Sequence, residues 1–216
     1  MKFQAVLFDL DGVIIDSEQF HEQAFREVLN NYGYQLTHAS YLANFAGKTD
    51  LDGFFGLKNQ IDNLPSLEQL IREKANAYSI IAQSLTPYDG ITSLIKELYD
   101  QGIKLALVTG SLRAEAELAL KTCNLNNQFE VIVAAEDVKN GKPSPEGYQK
   151  VARLLDVTPS RCAVVEDSPS GVDAAVSAGM FCVAITNTHS AEDLGSANLV
   201  VGKLSSSIFL DTDKSQ

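Results

Sequence analysis

From residue 87 to residue 201, short apolar runs alternate with amphipathic stretches, and this rhythm narrows the possible folds further than any other feature of the chain. Pro87-Tyr88-Asp89-Gly90 reads as a turn. Ile91, Leu94, Ile95, Leu98 and Tyr99 then recur at helical spacing and stop at Gly102. The run 103–108 has strand length and ends in Thr109-Gly110-Ser111. A helix is expected over 112–122 and a strand over 131–135. Ser144-Pro145 resembles an N-cap followed by proline at the first helical position, opening a helix that reaches about residue 155. Strands follow at 162–165, 181–185 and 199–201, with a helix of small residues over 170–178, closed by Gly179, between the first two. An earlier apolar run, residues 4–8, also reads as a buried strand. Strands buried on both faces lose the apolar–polar alternation. Alternating strand and helix therefore predicts an α/β fold, a doubly wound parallel sheet with helices on both faces.

The stretch between the first strand and this alternating region has a different pattern. Phe20, Ala24, Phe25, Val28 and Leu29 follow helical spacing, with Gly33 as a stop. Leu67, Leu70, Ile71, Ala75, Tyr78 and Ile81 form a second helical stripe. No convincing strand lies between them. The expected organisation is a core of residues 1–15 and 85–216, interrupted by an all-helical insertion over 16–84.

The polar residues at the strand exits point to chemistry. Ligands of open parallel sheets bind at the carboxyl ends of the strands. Asp9 and Asp11 follow the first strand, Thr109 and Ser111 follow another, Lys142 sits in the loop after a third, and Glu166-Asp167 follow a fourth. Two carboxylates at i and i+2 of a strand share a side. Such close like charges call for a cation between them, a shared proton, or both. Adding Glu166 and Asp167 creates an oxygen-rich site suited to Mg²⁺, and no His or Cys group has zinc spacing. Lys142 contributes a positive charge, and Thr109 with the amides after it contributes hydrogen bonds. That combination suits phosphoryl oxygens. One carboxylate of the Asp9/Asp11 pair can attack phosphorus while the other protonates the leaving alcohol and then deprotonates the attacking water.

Composition excludes some partners. The 17 Lys and Arg against 28 Asp and Glu give a net charge of −11, with no basic run, which argues against nucleic acid and anionic membrane surfaces. Hydrophobic residues at 45% suffice for a core, and no apolar stretch is long enough to span a membrane. Cys123, Cys162 and Cys182 are odd in number and lack a C-x-x-C pair, so buried reduced thiols and a cytoplasmic location are expected. Nothing in the sequence demands more than a monomer.

Four segments carry a family resemblance: D-L-D-G-V-I-I-D-S-E from Asp9, V-T-G-S from Val108, G-K-P-S-P from Gly141 and V-V-E-D-S-P-S-G from Val164. In this order and spacing they resemble the four motifs of the haloacid dehalogenase superfamily, closest to its β-phosphoglucomutase-like phosphatases. The resemblance spans essentially the whole chain. It implies a Rossmann-like core with a small helical cap inserted after the first motif. It also implies a Mg²⁺-dependent phosphatase that passes through an aspartyl-phosphate and acts on a small phosphorylated metabolite, a sugar or polyol phosphate. On this likeness Asp9 is nucleophile and metal ligand, and Asp11 is the acid/base with its main-chain carbonyl on the metal. Thr109 and Lys142 hold the phosphoryl group, with Gly110 and Ser111 lining its site. Asp167 ligates the metal, and Glu166 does so directly or through water. In the cap, Gly47 matches the family glycine that lets the loop approach substrate, and His21 matches a position that often carries a site-facing histidine. Lys48 and Lys74 are candidates for a second anionic group, set against the ordinary surface lysine. A sugar-phosphate mutase is the alternative, but the resemblance would then place a lysine at Ala46 and an arginine at Asp50. A dehalogenase does not need Asp11. An EF-hand alignment of D-x-D-G puts Leu7 in the first ligand place and fails. A non-catalytic binding protein on the same fold would be expected to lack a core motif residue, and none is missing.

Overall fold

The computed structural model describes residues 3–46, 48–58, 61 and 64–210. It divides into two compact units, one of residues 1–16 and 86–216, the other of residues 17–85.

The first unit is built on a six-stranded parallel sheet: β1 (Ala5–Phe8), β2 (Lys104–Val108), β3 (Val131–Val133), β4 (Cys162–Glu166), β5 (Phe181–Ile185) and β6 (Leu199–Val201). The order is β3-β2-β1-β4-β5-β6, so the chain winds outward in both directions from the central β1. The point between β1 and β4 is where the winding reverses, and crevices at strand ends form at such reversals. Every residue of β1 and β4 is buried. Continuous apolar runs are what a strand covered on both faces requires.

Among the described residues the second unit is helical: α1 (Glu18–Asn30), α2 (His38–Asn44), α3 (Asp50–Lys58) and α4 (Leu67–Ile81). Phe25, Val28 and Leu29 of α1 pack with Tyr41, Phe45, Phe54, Leu57 and Leu70. Phe25 sits 4.3 Å from Phe45 and 5.1 Å from Phe54 between ring centroids, so one aromatic cluster joins three segments. The two helical stripes expected from spacing are α1 and α4. The other two helices gave no periodic signal. In α3 the apolar residues Leu51, Phe54, Phe55 and Leu57 fall on both its buried and its exposed faces, and Leu51 and Phe55 are exposed.

Four more helices flank the sheet: α5 (Ile91–Asp100), α6 (Arg113–Thr122), α7 (Glu146–Leu155) and α8 (Pro169–Ser177). Tyr148, Val151 and Leu155 of α7 and Val172, Ala174 and Ala175 of α8 share one core with Ala5, Leu7, Ala106, Val108, Val164, Cys182 and Ala184. The alternate residues Val6 and Phe8 serve the opposite face. The small residues of α8 bring its backbone close to the sheet. Ser168 caps it, accepting from Gly171 N at 3.1 Å. Two boundaries differ from expectation. Helix α7 begins at Glu146, with Pro145 at the cap, and Ser144 Oγ accepts from Glu146 N at 3.3 Å. Strand β3 stops at Val133 and gives way to a single 3₁₀ turn over Ala135–Asp137.

No helix among the described residues is long and apolar enough to cross a membrane. Cys123, Cys162 and Cys182 are all buried and free.

Candidate active site

Asp9 is the first residue beyond β1, and its amide donates to Val165 O at 3.0 Å, carrying the β1–β4 pairing one residue past the strand. The chain then curls over: Leu10 O accepts from Ile14 N at 2.8 Å and Ile15 N at 3.1 Å. Gly12 turns this corner at φ +80°, the left-handed region glycine enters without strain. A second constraint acts at the same residue. A Cβ on Gly12 would lie 1.9 Å from Asp167 Oδ2, so the loop after β1 and the loop after β4 can approach only across a glycine.

Three buried carboxylates meet there. Asp9, Glu166 and Asp167 each offer an oxygen within 4.8 Å of the others. Lys142 Nζ lies 2.5 Å from both Asp9 Oδ1 and Glu166 Oε1. One ammonium thus meets two of the three acids. Burial pushes the Asp9 carboxyl up, against the pull of Lys142, and Glu166, Asp167 and Asp11 push it further. Burial and the Glu166 charge raise Asp167 to about 6, although Thr188 and Lys142 oppose them. Glu166 goes the other way. Burial works against its charge, but Lys142 beside it and donors from Tyr148 and the Asp167 amide hold it below the usual carboxylate range. The surplus of buried negative charge with oxygen-only donors, free of His and Cys, fits a hard divalent cation such as Mg²⁺.

Asp11 stands apart from this cluster. Its Oδ2 accepts from Ser111 Oγ at 2.7 Å and from Thr109 Oγ1 at 3.4 Å. Thr109 follows β2, its amide on Val133 O at 3.0 Å, and its hydroxyl accepts from Ser111 N at 3.0 Å. Gly110 is the exposed corner between them. The two aspartates therefore have different surroundings: Asp9 lies among acids and the lysine, and Asp11 against hydroxyls.

The remaining candidates lie in the helical unit, which positions them as follows. Lys74 is not the surface lysine expected by default. It is fully buried, with Nζ 3.0 Å from Asp50 Oδ2, 2.9 Å from His21 Nδ1 and about 5 Å from the ring centres of Phe25 and Tyr78. His21 stacks on Tyr78 at 4.4 Å. Lys48 Nζ donates to Ala43 O at 2.9 Å on the surface of the same unit. Gly47 lies outside the described residues.

Two sets of neighbours escaped the sequence reading. Asn187, Thr188 and His189 follow β5. Asn187 Nδ2 donates to Gly12 O at 2.7 Å, the Thr188 hydroxyl donates to the Asp167 carboxylate, and His189 Nδ1 lies 3.0 Å from Asp167 O. A polar triplet at a strand exit was a visible signal, the same one that picked out Thr109 and Glu166. Tyr148, the other case, sits inside α7, away from any strand exit; its hydroxyl donates to Glu166 Oε1 at 2.7 Å.

A sheet wound in this order, with an aspartate pair after the central strand and a lysine and two acids from neighbouring exits, defines a class of hydrolase. The family model for haloacid dehalogenase-like hydrolases matches residues 6–185, and the chain belongs to that family. It is a phosphoric monoester hydrolase of the β-phosphoglucomutase-like branch. Among its relatives, a validoxylamine A 7'-phosphate phosphatase of Streptomyces hygroscopicus subsp. limoneus is 34% identical over 206 residues, covering 94% of each chain. A β-phosphoglucomutase of Bacillus subtilis is 30% identical over 84% of this chain and 83% of its own. Among solved structures, CbbY of Rhodobacter sphaeroides superposes with a TM-score of 0.85 at 26% identity, covering 92% of this chain and 93% of that one. That structure is an Asp-to-Asn mutant in complex with xylulose-1,5-bisphosphate.

Proposed function

We propose that the chain is a Mg²⁺-dependent phosphatase that hydrolyses small sugar or polyol phosphates through an aspartyl-phosphate on Asp9. The observation that carries this is the division of surroundings between the two aspartates: Asp9 bound to Lys142 among buried acids, Asp11 held by Ser111 and Thr109 outside that cluster.

A nucleophile must be ionised, and Lys142 favours that form of Asp9. Asp9 attacks phosphorus and the ester oxygen leaves. Asp11, in the more open position, gives that oxygen its proton. The resulting carboxylate of Asp11 then takes a proton from water as the water displaces Asp9 from phosphorus, restoring both groups. Lys142 and the hydroxyl of Thr109 hold the phosphoryl oxygens, along with the amides of Gly110 and Ser111. Asp9, Asp167 and the main-chain carbonyl of Asp11 would hold Mg²⁺, which supplies charge neutralisation for the nucleophile and the phosphoryl group. Sugar or polyol esters are the substrate class supported by the relatives.

The test is a panel of phosphometabolites assayed as kcat/KM with Mg²⁺ and with EDTA. Turnover of several sugar or polyol phosphates in Mg²⁺, lost in EDTA, is the expected result. Conversion of β-glucose 1-phosphate to glucose 6-phosphate without phosphate release would instead establish a mutase. The pH dependence is a separate expectation. Ligating carboxylates must be deprotonated, so protons compete with metal below the Asp167 value of about 6. The Mg²⁺ concentration for half-maximal activity should rise by up to about tenfold per pH unit below that point and flatten above pH 7. A half-maximal concentration constant from pH 5 to 7 would show that Asp167 does not bind the metal.

A further inference from the structure

Glu166 has two carboxylate oxygens, and both are taken. Oε1 accepts from Lys142 Nζ and from the Tyr148 hydroxyl at 2.7 Å. Oε2 accepts from Asp167 N at 3.1 Å, Ser168 N at 3.4 Å and Ser168 Oγ at 3.1 Å. A carboxylate offers about four lone-pair positions, so these five contacts use its capacity. The group also has no room to turn. The backbone of α8 presses against it, and a Cβ on Gly171 would lie 1.9 Å from Glu166 Cδ. Tyr148 contributes twice. Its hydroxyl holds Oε1, and its ring lies 5.4 Å from the Lys142 ammonium, a favourable position for a cation. Both Tyr148 and Glu166 are fully buried, so water does not replace this hydroxyl.

We infer that Tyr148 is a positioning residue that commits Glu166 to Lys142 rather than to the metal, so that Glu166 sets the aim of the phosphate-holding ammonium and the metal rests on Asp9 and Asp167. The inference rests on the phosphatase function proposed above. Phenylalanine fills the volume of Tyr148 but lacks the hydroxyl, which makes Tyr148→Phe a clean probe.

Two affinities separate the possibilities in the full-length protein. Orthovanadate binding at saturating Mg²⁺ reports the Lys142 side, and Mn²⁺ binding followed by electron paramagnetic resonance reports the metal side. Loss of a hydrogen bond to a charged group is worth about tenfold or more. Tyr148→Phe should weaken orthovanadate about five- to thirtyfold while Mn²⁺ affinity stays within about threefold. Glu166→Gln should weaken orthovanadate at least as much. Its effect on Mn²⁺ should be far smaller than that of Asp167→Asn, which removes a ligand. A residue that merely fills space would move neither affinity, or both together. Unchanged orthovanadate binding in Tyr148→Phe overturns the inference, as does a tenfold or greater loss of Mn²⁺ in either Tyr148→Phe or Glu166→Gln. If Tyr148→Phe does not fold, the Glu166→Gln comparison decides alone. A wild-type protein that binds no orthovanadate removes the phosphatase function, and this assignment with it.

Discussion

Asp9→Asn is expected to lower kcat by about 10⁴-fold or more, the scale on which enzymes lose rate when their nucleophile is removed. An amide has no charge to bring to phosphorus and is a poor nucleophile, so the first chemical step has no substitute. The fold should survive. Asp9 is a buried acid whose charge is disfavoured by burial and by Glu166, Asp167 and Asp11, so a neutral isostere relieves repulsion even as it loses the Lys142 attraction. The thermal midpoint should therefore stay within a few degrees of wild type while turnover disappears. Substrate binding should persist, because the amide keeps the shape of the carboxylate and leaves Lys142, Thr109 and the amides after it to hold the phosphoryl group. Rapid-quench mass spectrometry of the wild type should find a phosphoryl group on the peptide containing Asp9 during turnover. Activity of Asp9→Asn within tenfold of wild type would rule Asp9 out as the nucleophile.

Lys142→Met should be the most damaging single change to stability near the site. Lys142 neutralises Glu166, which is fully buried, and Asp9, which is nearly so. Removing one partner of a buried pair leaves the other charge uncompensated, at a cost of about 3–5 kcal/mol. In a chain of this size that lowers the melting temperature by roughly 10–15 °C. The pH dependence has a definite sign. Without the ammonium, the folded-state pKa of Glu166 rises above the unfolded value, and that of Asp9, already held above it by burial, rises further. The folded variant then holds protons that the unfolded chain has released, so the deficit is full above the raised pKa and fades as pH falls toward 4. Melting curves in EDTA at pH 5 and pH 7.5 should show the gap to wild type shrinking at the lower pH. Adding Glu166→Gln to Lys142→Met should restore part of the stability by removing one stranded charge. A gap independent of pH would mean that Lys142 stabilises the fold by packing alone.

Much of this molecule was legible from local pattern. Strands β1, β4 and β5 stood out because a parallel strand covered on both faces must be apolar throughout, and runs such as Ala5–Phe8 have few other uses. Helices α1, α4 and α5 stood out because each buries one stripe, and α7 because Ser144-Pro145 marks its start. The site was legible for a related reason. A polar or charged residue directly after an apolar strand has left the core and reached the sheet's ligand-binding edge, which marked Asp9, Thr109, Glu166 and Asp167. Helices α2 and α3 did not register because neither is long enough for a stripe to repeat, and α3 exposes Leu51 and Phe55. Asn187, Thr188 and His189 obeyed the strand-exit rule but matched no motif, and so were passed over.

The sequence by itself determined the order of the strands, the helices between them and the residues at the strand exits, because these depend on short-range periodicity and on the burial each run demands. Only the tertiary structure decided which of those residues meet. Which carboxylate Lys142 meets, that Tyr148 reaches Glu166 across 18 positions, that Ser111 takes Asp11, and that Lys74 is buried against Asp50 all depend on side chains far apart in the chain. Gly12 shows the difference most plainly. Its place after two acids is visible in the sequence, but the carboxylate of Asp167 pressed against its missing Cβ exists only once β1 and β4 lie side by side.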